Sequence, residues 1–349
     1  MTQQKILTIG MPAGSLANPN RGGNLISLLE SAGFKTKGYE GGGPTSFSTV
    51  NFIYGWDGRP QEFGSQLGIK ELDVAIGGDD WIQERIIELK LEYNTEINLE
   101  KVLSLQRGNV RLVGITNDSE KRNITEFLQD LGNKKEIITV AAEMPYLALD
   151  WIQKRLKDIG LYEKFSSFSV QKYKTPAKIN KGIVIYETWG KTEAKVKNGG
   201  VDIALEITQS GSAIRNYGLH IADTALESET GIWINPDIKN DPEKSDLLKM
   251  FLLNLYGSVN AENKVMILFN VPHELVNIIE KYLSEKELFA DEPTMNPGKI
   301  FTEFSIQVDL GNKELPLARI RYELAKLGAV NIDTVPITSS IPSLNVLGF

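Results

Sequence analysis

The stretch DIALEITQSGSAIRNYGL, residues 202–219, carries the clearest structural pattern in the chain. A short apolar run ends at the acidic residue Glu206, a loop of hydroxyl, amide and glycine residues follows, and a helix is expected from about Ser212. The free N–H groups and the positive dipole end of a helix attract anions, and Gly211 lets a backbone approach a ligand closely. The stretch therefore predicts an anion site after a strand. It fits equally well an ordinary helix capped by Ser210 or Ser212.

Strands and helices alternate on either side of this stretch. Short apolar runs predict buried strands, and apolar residues three or four positions apart predict helices. The predicted strands are residues 5–11, 50–54, 72–76, 111–115, 136–142, 183–187 and 202–207, and the predicted helices are residues 24–32, 60–67, 81–89 and 146–156. Residues 40–49, rich in glycine, serine and threonine, are predicted to form a loop. The alternation is typical of an α/β fold, in which ligands bind at the carboxyl ends of parallel strands.

The C-terminal part of the chain has a different order of elements. Its predicted strands lie at residues 265–270, near Pro293, at 300–310 and at 330–335, and its predicted helices at residues 273–283 and 317–327. The order β-α-β-β-α-β is that of a ferredoxin-like domain. Small domains of this shape often bind regulators, although the shape alone does not establish that role.

The composition excludes several kinds of chemistry. A chain of 349 residues predicts two or three domains. The absence of cysteine excludes disulfides, thiol catalysis and cysteine-bound metals, and two histidines, His220 and His273, argue against a zinc site or a Ser-His-Asp triad. A net charge of −7 argues against nucleic-acid binding. The sequence has no recognisable signal peptide and no membrane-spanning stretch, so we expect a cytoplasmic protein.

Three further turns are candidate ligand sites. The segment PAGSL, residues 12–16, follows the first strand and offers N–H groups to a phosphate, or is a simple strand-to-loop turn. The segment GGDD, residues 77–80, carries two carboxylates that could bind Mg²⁺ through water, although capping of the next helix is the more common role. Arg59 precedes a predicted helix and is either a bidentate phosphate ligand or a solvated residue.

Four of these segments, in this order, resemble motifs of the ATP phosphoribosyltransferase family. They are PAGSL at residues 12–16, RPQEF at residues 59–63, DVAIGGDDW at residues 73–81 and EITQSGSAIRNYGL at residues 206–219. The stretches GKTEAK at 190–195 and TALES at 224–228 resemble further parts of the family, and the unit from Val265 is similar to its regulatory domain. Each motif is short, but the ordered set is specific.

The resemblance implies the long form of the family. Its catalytic core is two-lobed, with a type II periplasmic-binding-protein-like fold, and is followed by a ferredoxin-like, ACT-like C-terminal domain. Lobe I would comprise residues 1–115 and 220–262, lobe II residues 116–219 and the regulatory domain residues 263–349.

The resemblance also implies a reaction. N1 of ATP attacks the anomeric carbon of 5-phosphoribosyl 1-pyrophosphate and Mg-pyrophosphate leaves, which is the first step of histidine biosynthesis. The implied catalytic residues are Glu206, which would hold the ribose hydroxyls, Arg59 and Arg21. Mg²⁺ would ride mainly on substrate oxygens, with Glu206 and Asp80 as its protein ligands. The implied substrate-binding residues are Gly14, Ser15, Leu16, Gly78, Asp79, Asp80, Glu143, Thr208, Gln209, Ser210, Gly211, Ser212 and Ala213.

By the same resemblance, L-histidine would be a feedback inhibitor and the chain would form a homo-oligomer, a hexamer or a dimer. Ala13 departs from the family by replacing a lysine that faces the pyrophosphate, and Ala213 by replacing a threonine of the phosphate loop, whereas Gln209 and Ser210 are mild changes. Arg21 is our candidate for restoring the charge lost at Ala13. Residues 36–58 and 86–104 are longer than is usual for the family. Two alternatives therefore stay open, a diverged paralogue with altered or lost transferase activity and a cytoplasmic protein that binds a small ligand.

Overall fold

The computed structural model describes residues 5–13, 17, 23–41, 45–289 and 294–348. The strands of these residues are β1 (Leu7–Pro12), β2 (Thr36–Lys37), β3 (Ser46–Phe47), β4 (Ile53–Gly58), β5 (Val74–Gly78), β6 (Glu100–Ser104), β7 (Val110–Thr116), β8 (Ile137–Ala142), β9 (Phe168–Lys172), β10 (Gly182–Glu187), β11 (Ile203–Thr208), β12 (His220–Ser228), β13 (Thr230–Ile234), β14 (Lys264–Pro272), β15 (Thr294–Pro297), β16 (Phe301–Asp309) and β17 (Val330–Pro336). The helices are α1 (Leu25–Ser31), α2 (Pro60–Gly68), α3 (Asp79–Tyr93), α4 (Ile124–Lys134), α5 (Pro145–Asp158), α6 (Thr192–Lys197), α7 (Ser212–Asn216), α8 (Pro242–Ala261), α9 (Val276–Glu285) and α10 (Leu317–Lys326).

The first sheet has the strand order β2-β3-β4-β1-β5-β13-β6. Its central strand, β1, is parallel to both β4 and β5, so the turns after these three strands leave the same edge of the sheet. Leu7, Ile9 and Met11 of β1 are fully buried. The helix α2 packs against this sheet through Phe63 and Leu67, which are also fully buried. Strands buried on both faces read as continuous apolar runs, which is why the sequence predicts them.

The second sheet has the strand order β12-β7-β11-β8-β10-β9. The strands β8, β9, β10 and β11 are parallel, whereas β7 is antiparallel to both of its neighbours. The helices α4 and α5 cover one face with a core that includes Leu128, Trp151 and Ile152. The helix α4 begins with a capping box, in which the Asn123 side chain accepts the Glu126 N–H and the Glu126 side chain accepts the Asn123 N–H. The cap explains where the helix begins, and the apolar face explains why it packs against the sheet.

The chain passes between the two sheets at residues 105–109 and returns at Glu229. The sequence-based division ended lobe I at residue 115 and resumed it at residue 220, but β7 and β12 both pair within the second sheet. The physical reason is that Leu112 and Leu226, on these strands, pack into the core beneath α5. The crossings between the two sheets therefore lie at residues 105–109 and at Glu229, away from residues 115 and 220.

The C-terminal sheet is antiparallel, with the strand order β15-β16-β14-β17. Along the chain its elements run β14-α9-β15-β16-α10-β17, the order that the sequence predicts. Its core includes the rings of Phe269 and Phe304, which stack with centroids 5.3 Å apart.

The described residues divide into two compact units, one formed by residues 27–35 together with the chain from residue 248 onward, and the other by the rest. The predicted start of the C-terminal domain, at residue 263, is therefore too late. Part of α8 belongs to this unit, since Phe251 is fully buried and its ring centroid lies 5.1 Å from that of Phe34. Within the described part of the chain, no helix is both long and apolar enough to cross a membrane.

Candidate active site

Glu206 lies near the carboxyl end of β11 and is partly buried. Its Oε1 accepts the Ile207 N–H at 3.2 Å. Its Oε2 is shielded from solvent and has no well-formed hydrogen bond to another described residue, although the Thr192 hydroxyl is near enough to lower the pKa. Burial raises the pKa of Glu206 to about 7, and the charges of Glu193 and Glu143 add to this rise. The site therefore holds a carboxyl group whose surroundings favour its protonated form and whose Oε2 has spare hydrogen-bonding capacity.

The loop after Glu206 is a compact turn that its own side chains stabilise. The Gly211 N–H donates to Thr208 Oγ1 at 2.8 Å, and the Ser210 hydroxyl donates to Ser212 Oγ at 3.0 Å. Gly211 has a φ of 71°, in the left-handed region that favours glycine. The turn leaves Ser210 and Ser212 exposed, together with Gln209 and Ala213.

The helix α7 begins directly after this loop, with Gly211 as its N-cap residue. The hydroxyl of Ser210, one residue earlier, accepts the Ser212 N–H at 3.3 Å. Ser210 therefore caps the first N–H group of the helix, and no other. No described side chain accepts the N–H of Ala213, the next residue of the helix. An anionic group of a ligand can use such N–H groups.

The two aspartates at the start of α3 have different surroundings. Asp79 Oδ1 lies 2.9 Å from Lys101 Nζ, which also lies 2.8 Å from Glu229 Oε1. Asp80 is 7% exposed and accepts the Trp81 N–H at 2.8 Å, and burial raises its pKa. Asp79 therefore forms an ion pair within the protein, and Asp80 lies below the surface. Gly78, before them, ends β5.

Glu143 is close enough to Asp80 and to Glu206 for its charge to interact with theirs. Its pKa is raised by burial and by the charge of Asp80, and its own charge raises the pKa of Glu206. The structure therefore brings these three predicted residues together. Among the described residues there is no group of three or more His, Asp or Glu side chains that could hold an ion. Coordination of Mg²⁺ by Glu206 and Asp80 stays a prediction.

Arg59 and Ala13 leave the same edge of the first sheet. Pro12 and Gly58 are partners at the ends of the parallel strands β1 and β4, and each of these two residues follows directly. Both are exposed. The other residues predicted on this side, Gly14, Ser15, Leu16 and Arg21, lie outside the described residues.

Glu84 makes hydrogen bonds between two helices that the sequence did not predict. It lies one turn after Asp80 on α3, is 5% exposed, and accepts the N–H groups of Tyr146 at 3.0 Å and Leu147 at 2.6 Å. These N–H groups belong to the first turn of α5, which packs on the second sheet. Burial raises the pKa of Glu84 to about 7. An acid on an amphipathic helix looks like a solvated residue in the sequence, so only the fold identifies this role.

A cavity of about 520 Å³ lies beside the loop that follows Glu206. Gln209 of the loop lines it, with Asp79 of α3, Arg111 at the start of β7 and Glu227 at the end of β12. The cavity therefore joins the loop to the crossing region between the sheets.

Comparison with known proteins points to the same family as the sequence motifs. A family model described as ATP phosphoribosyltransferase matches residues 59–257, more than half of the chain. ATP phosphoribosyltransferase 1 of Geobacter sulfurreducens is 25% identical over 344 residues, covering 96% of this chain and 99% of the relative. ATP phosphoribosyltransferase of Desulfosudis oleivorans is 27% identical over 303 residues, covering 85% and 86%.

Among solved structures, a chain of the ATP phosphoribosyl transferase complex of Thermotoga maritima is similar, with a TM-score of 0.48 and 15% identity. The match covers 72% of this chain and 98% of that chain.

Proposed function

The chain belongs to the ATP phosphoribosyltransferase family, and on this premise we propose that residues 206–213 bind the 5-phosphoribosyl group that it transfers to N1 of ATP. The observation that carries the proposal is Glu206: a partly buried carboxylate, with one oxygen lacking a well-formed hydrogen bond, directly before a glycine loop and a helix start. Two adjacent ribose hydroxyls supply the donors that such a carboxylate needs.

We assign the phosphate of the sugar to the loop. The backbone N–H groups of Ser212 and Ala213 open α7, and the hydroxyls of Ser210 and Ser212 are exposed beside them. A phosphate with several oxygens can accept from these donors together. Ala213 supplies a backbone donor as well as a threonine would, and only the threonine's hydroxyl is missing.

The reaction needs positioning and charge stabilisation more than covalent help. As N1 of ATP attacks and pyrophosphate leaves, positive charge develops at the anomeric carbon. Ionised Glu206, bound to the neighbouring ribose hydroxyls, stabilises that charge. We further propose that Arg59, Arg21 and the segment 14–16 face the pyrophosphate and ATP from the first lobe.

Mg²⁺ fits this site as a part of the substrate. The carboxylates of Asp80, Glu143 and Glu206 form no protein cage for the ion. We therefore propose that Mg²⁺ enters on pyrophosphate oxygens, which neutralises the leaving group, and that the protein contributes few direct ligands.

Pyrophosphate release is the direct test. Wild-type protein with ATP, 5-phosphoribosyl 1-pyrophosphate and Mg²⁺ should release pyrophosphate, and omission of either substrate should abolish release. Binding of 5-phosphoribosyl 1-pyrophosphate (called the sugar diphosphate below) without turnover would favour the diverged paralogue. Absence of both binding and turnover would favour a protein that binds another small ligand.

We also propose that the two sheets are the lobes of a type II periplasmic-binding-protein-like core and that the C-terminal βαββαβ domain is an ACT-like regulatory domain. In this proposal L-histidine binds to the C-terminal domain. The chain forms a hexamer or a dimer, and the protein is located in the cytoplasm. The topology of the domain and the family membership support this. An unchanged rate and melting temperature with millimolar L-histidine would contradict feedback control.

A further inference from the structure

The geometry points to Arg111 as the residue that binds the leaving pyrophosphate, an inference that rests on the function proposed above. The sequence motifs do not include this residue. It lies at the start of β7, where the chain enters the second sheet.

Arg111 stands on the same face of the second sheet as the predicted ribose site. In the antiparallel pair β7–β11 it lies opposite Thr208, and Val113 lies opposite Glu206. Directly opposite residues of antiparallel strands project from the same face, with Cβ atoms about 5 Å apart. Residues two apart on a strand also share a face. The Arg111 side chain therefore emerges beside Thr208, at the beginning of the phosphate loop.

The guanidinium of Arg111 is available to a ligand. Arg111 is partly exposed, and its side chain forms no hydrogen bond or ion pair within the described residues. Other cations near the crossing region are engaged: Lys101 contacts Asp79 and Glu229, and Arg155 Nε lies 2.7 Å from Asp223 Oδ2. A guanidinium presents paired donors that match the geometry of phosphate oxygens.

The cavity beside the loop has room for a diphosphate. Its volume is about 520 Å³, and Arg111 is the one cationic residue among its described lining. Three acids also line it, and two of them, Asp79 and Glu229, are paired with Lys101. Gln209 lines it as well, which places the cavity next to the proposed phosphoribosyl site. The loop N–H groups already serve the 5-phosphate, so Arg111 serves the second anionic group of the substrate. Because Ala13 brings no charge from the first strand, Arg111 has a larger share of the pyrophosphate charge to neutralise.

The test uses the full-length protein and magnesium pyrophosphate as the binding probe, measured by calorimetry. Arg111→Ala should weaken pyrophosphate binding about tenfold to hundredfold, which is the range for loss of charge-assisted hydrogen bonds. It should lower kcat and raise the KM for the sugar diphosphate while leaving the KM for ATP within about twofold. Arg111→Lys should recover a part of the loss, since it restores charge without the paired donors.

Two further variants sharpen the test. Lys157→Ala removes one positive charge from the last turn of α5 and should change none of these constants. Glu227→Gln removes the acid that lies opposite Arg111 on β12 and lines the same cavity, so it should tighten pyrophosphate binding severalfold. Circular dichroism checks that each variant is folded.

The role of Arg111 and the proposed transferase function can fail separately. Pyrophosphate affinity and kcat within about threefold of wild type in Arg111→Ala would overturn the role of Arg111, even if the enzyme is fully active. If wild-type protein released no pyrophosphate from its substrates, the proposed function would fail. Calorimetry would still decide whether Arg111 binds pyrophosphate.

Discussion

Replacing Glu206 by glutamine should stabilise the protein and inactivate it. Burial and neighbouring acids raise the pKa of Glu206 from its ordinary value of 4.5 to about 7. The folded state therefore favours the protonated acid, and the free energy of unfolding falls as pH rises from about 4.5 through 7. One pKa unit corresponds to about 1.4 kcal/mol, so the full shift sets an upper limit of about 3 kcal/mol, reduced by partial solvent screening.

Glutamine has nearly the shape of the protonated acid and carries no charge. At pH 8 the variant should gain up to about 3 kcal/mol over wild type, and near pH 4 the difference should vanish. Its kcat/KM for the sugar diphosphate should fall about a hundredfold or more, because two charge-assisted hydrogen bonds are lost. Urea unfolding between pH 4 and pH 8, together with pyrophosphate release, measures both effects. A variant less stable than wild type at pH 8, or a difference independent of pH, would refute the role assigned to burial.

Glu84 is a matched control for this experiment. Its pKa is also raised to about 7, but both of its carboxylate oxygens accept backbone N–H groups of α5. Glutamine has one acceptor oxygen, and its NH₂ group would meet an N–H donor. Near pH 4, where Glu84 is protonated and both oxygens can still accept, Glu84→Gln should therefore be about 1–3 kcal/mol less stable than wild type, whereas Glu206→Gln should match wild type there. The deficit of Glu84→Gln should shrink towards pH 8, because burial penalises the ionised Glu84 of wild type.

Three further outcomes follow from the same geometry. The KM for the sugar diphosphate should fall about tenfold between pH 6 and pH 8 as Glu206 ionises, which a pH series of initial rates will show, and a flat profile would contradict it. Gly211→Ala should raise that KM severalfold without changing the KM for ATP, because alanine is strained at a φ of 71° and its Cβ would lie 3.1 Å from an Arg215 nitrogen. Gly114→Ala should destabilise the protein by about 3 kcal/mol or more in urea titrations, because its Cβ would lie 2.2 Å from the ring of Trp151, which is anchored by a 2.8 Å hydrogen bond to Asp223.

The parts of the fold that the sequence predicts are those in which local pattern and tertiary burial agree. The β1 and β8 runs are buried strands, and the apolar stripe of α5 faces the core, so each was predicted nearly at its observed position. The strand β6 was missed because all five of its residues are only partly buried and its pairing with β13 comes from distant sequence. The short strand β3 lies within residues predicted as a loop, since two residues carry no period.

The candidate site divides in the same way. The loop from Glu206 to Ala213 is contiguous, so its turn chemistry can be inferred from the order of residues. Glu84 and Arg111 depend on partners more than 60 residues away in the chain, Tyr146 for the first and Thr208 for the second. A single acid or arginine in a sequence has no pattern that reveals such a partner.

In the two-lobed core proposed above, the hydrogen bonds from Glu84 to α5 bear on how the cleft between the two sheets moves. Two chain segments crossing between two bodies define an axis about which those bodies can rotate. A third attachment away from that axis opposes the rotation, and Glu84 makes one by joining the first turn of α5 to α3. The Tyr146 hydroxyl donates a third hydrogen bond between the two helices, to Glu92 of α3 at 3.0 Å. The cleft should therefore hold its width before substrate arrives, so that binding spends little free energy on closing it and more on aligning the sugar with ATP.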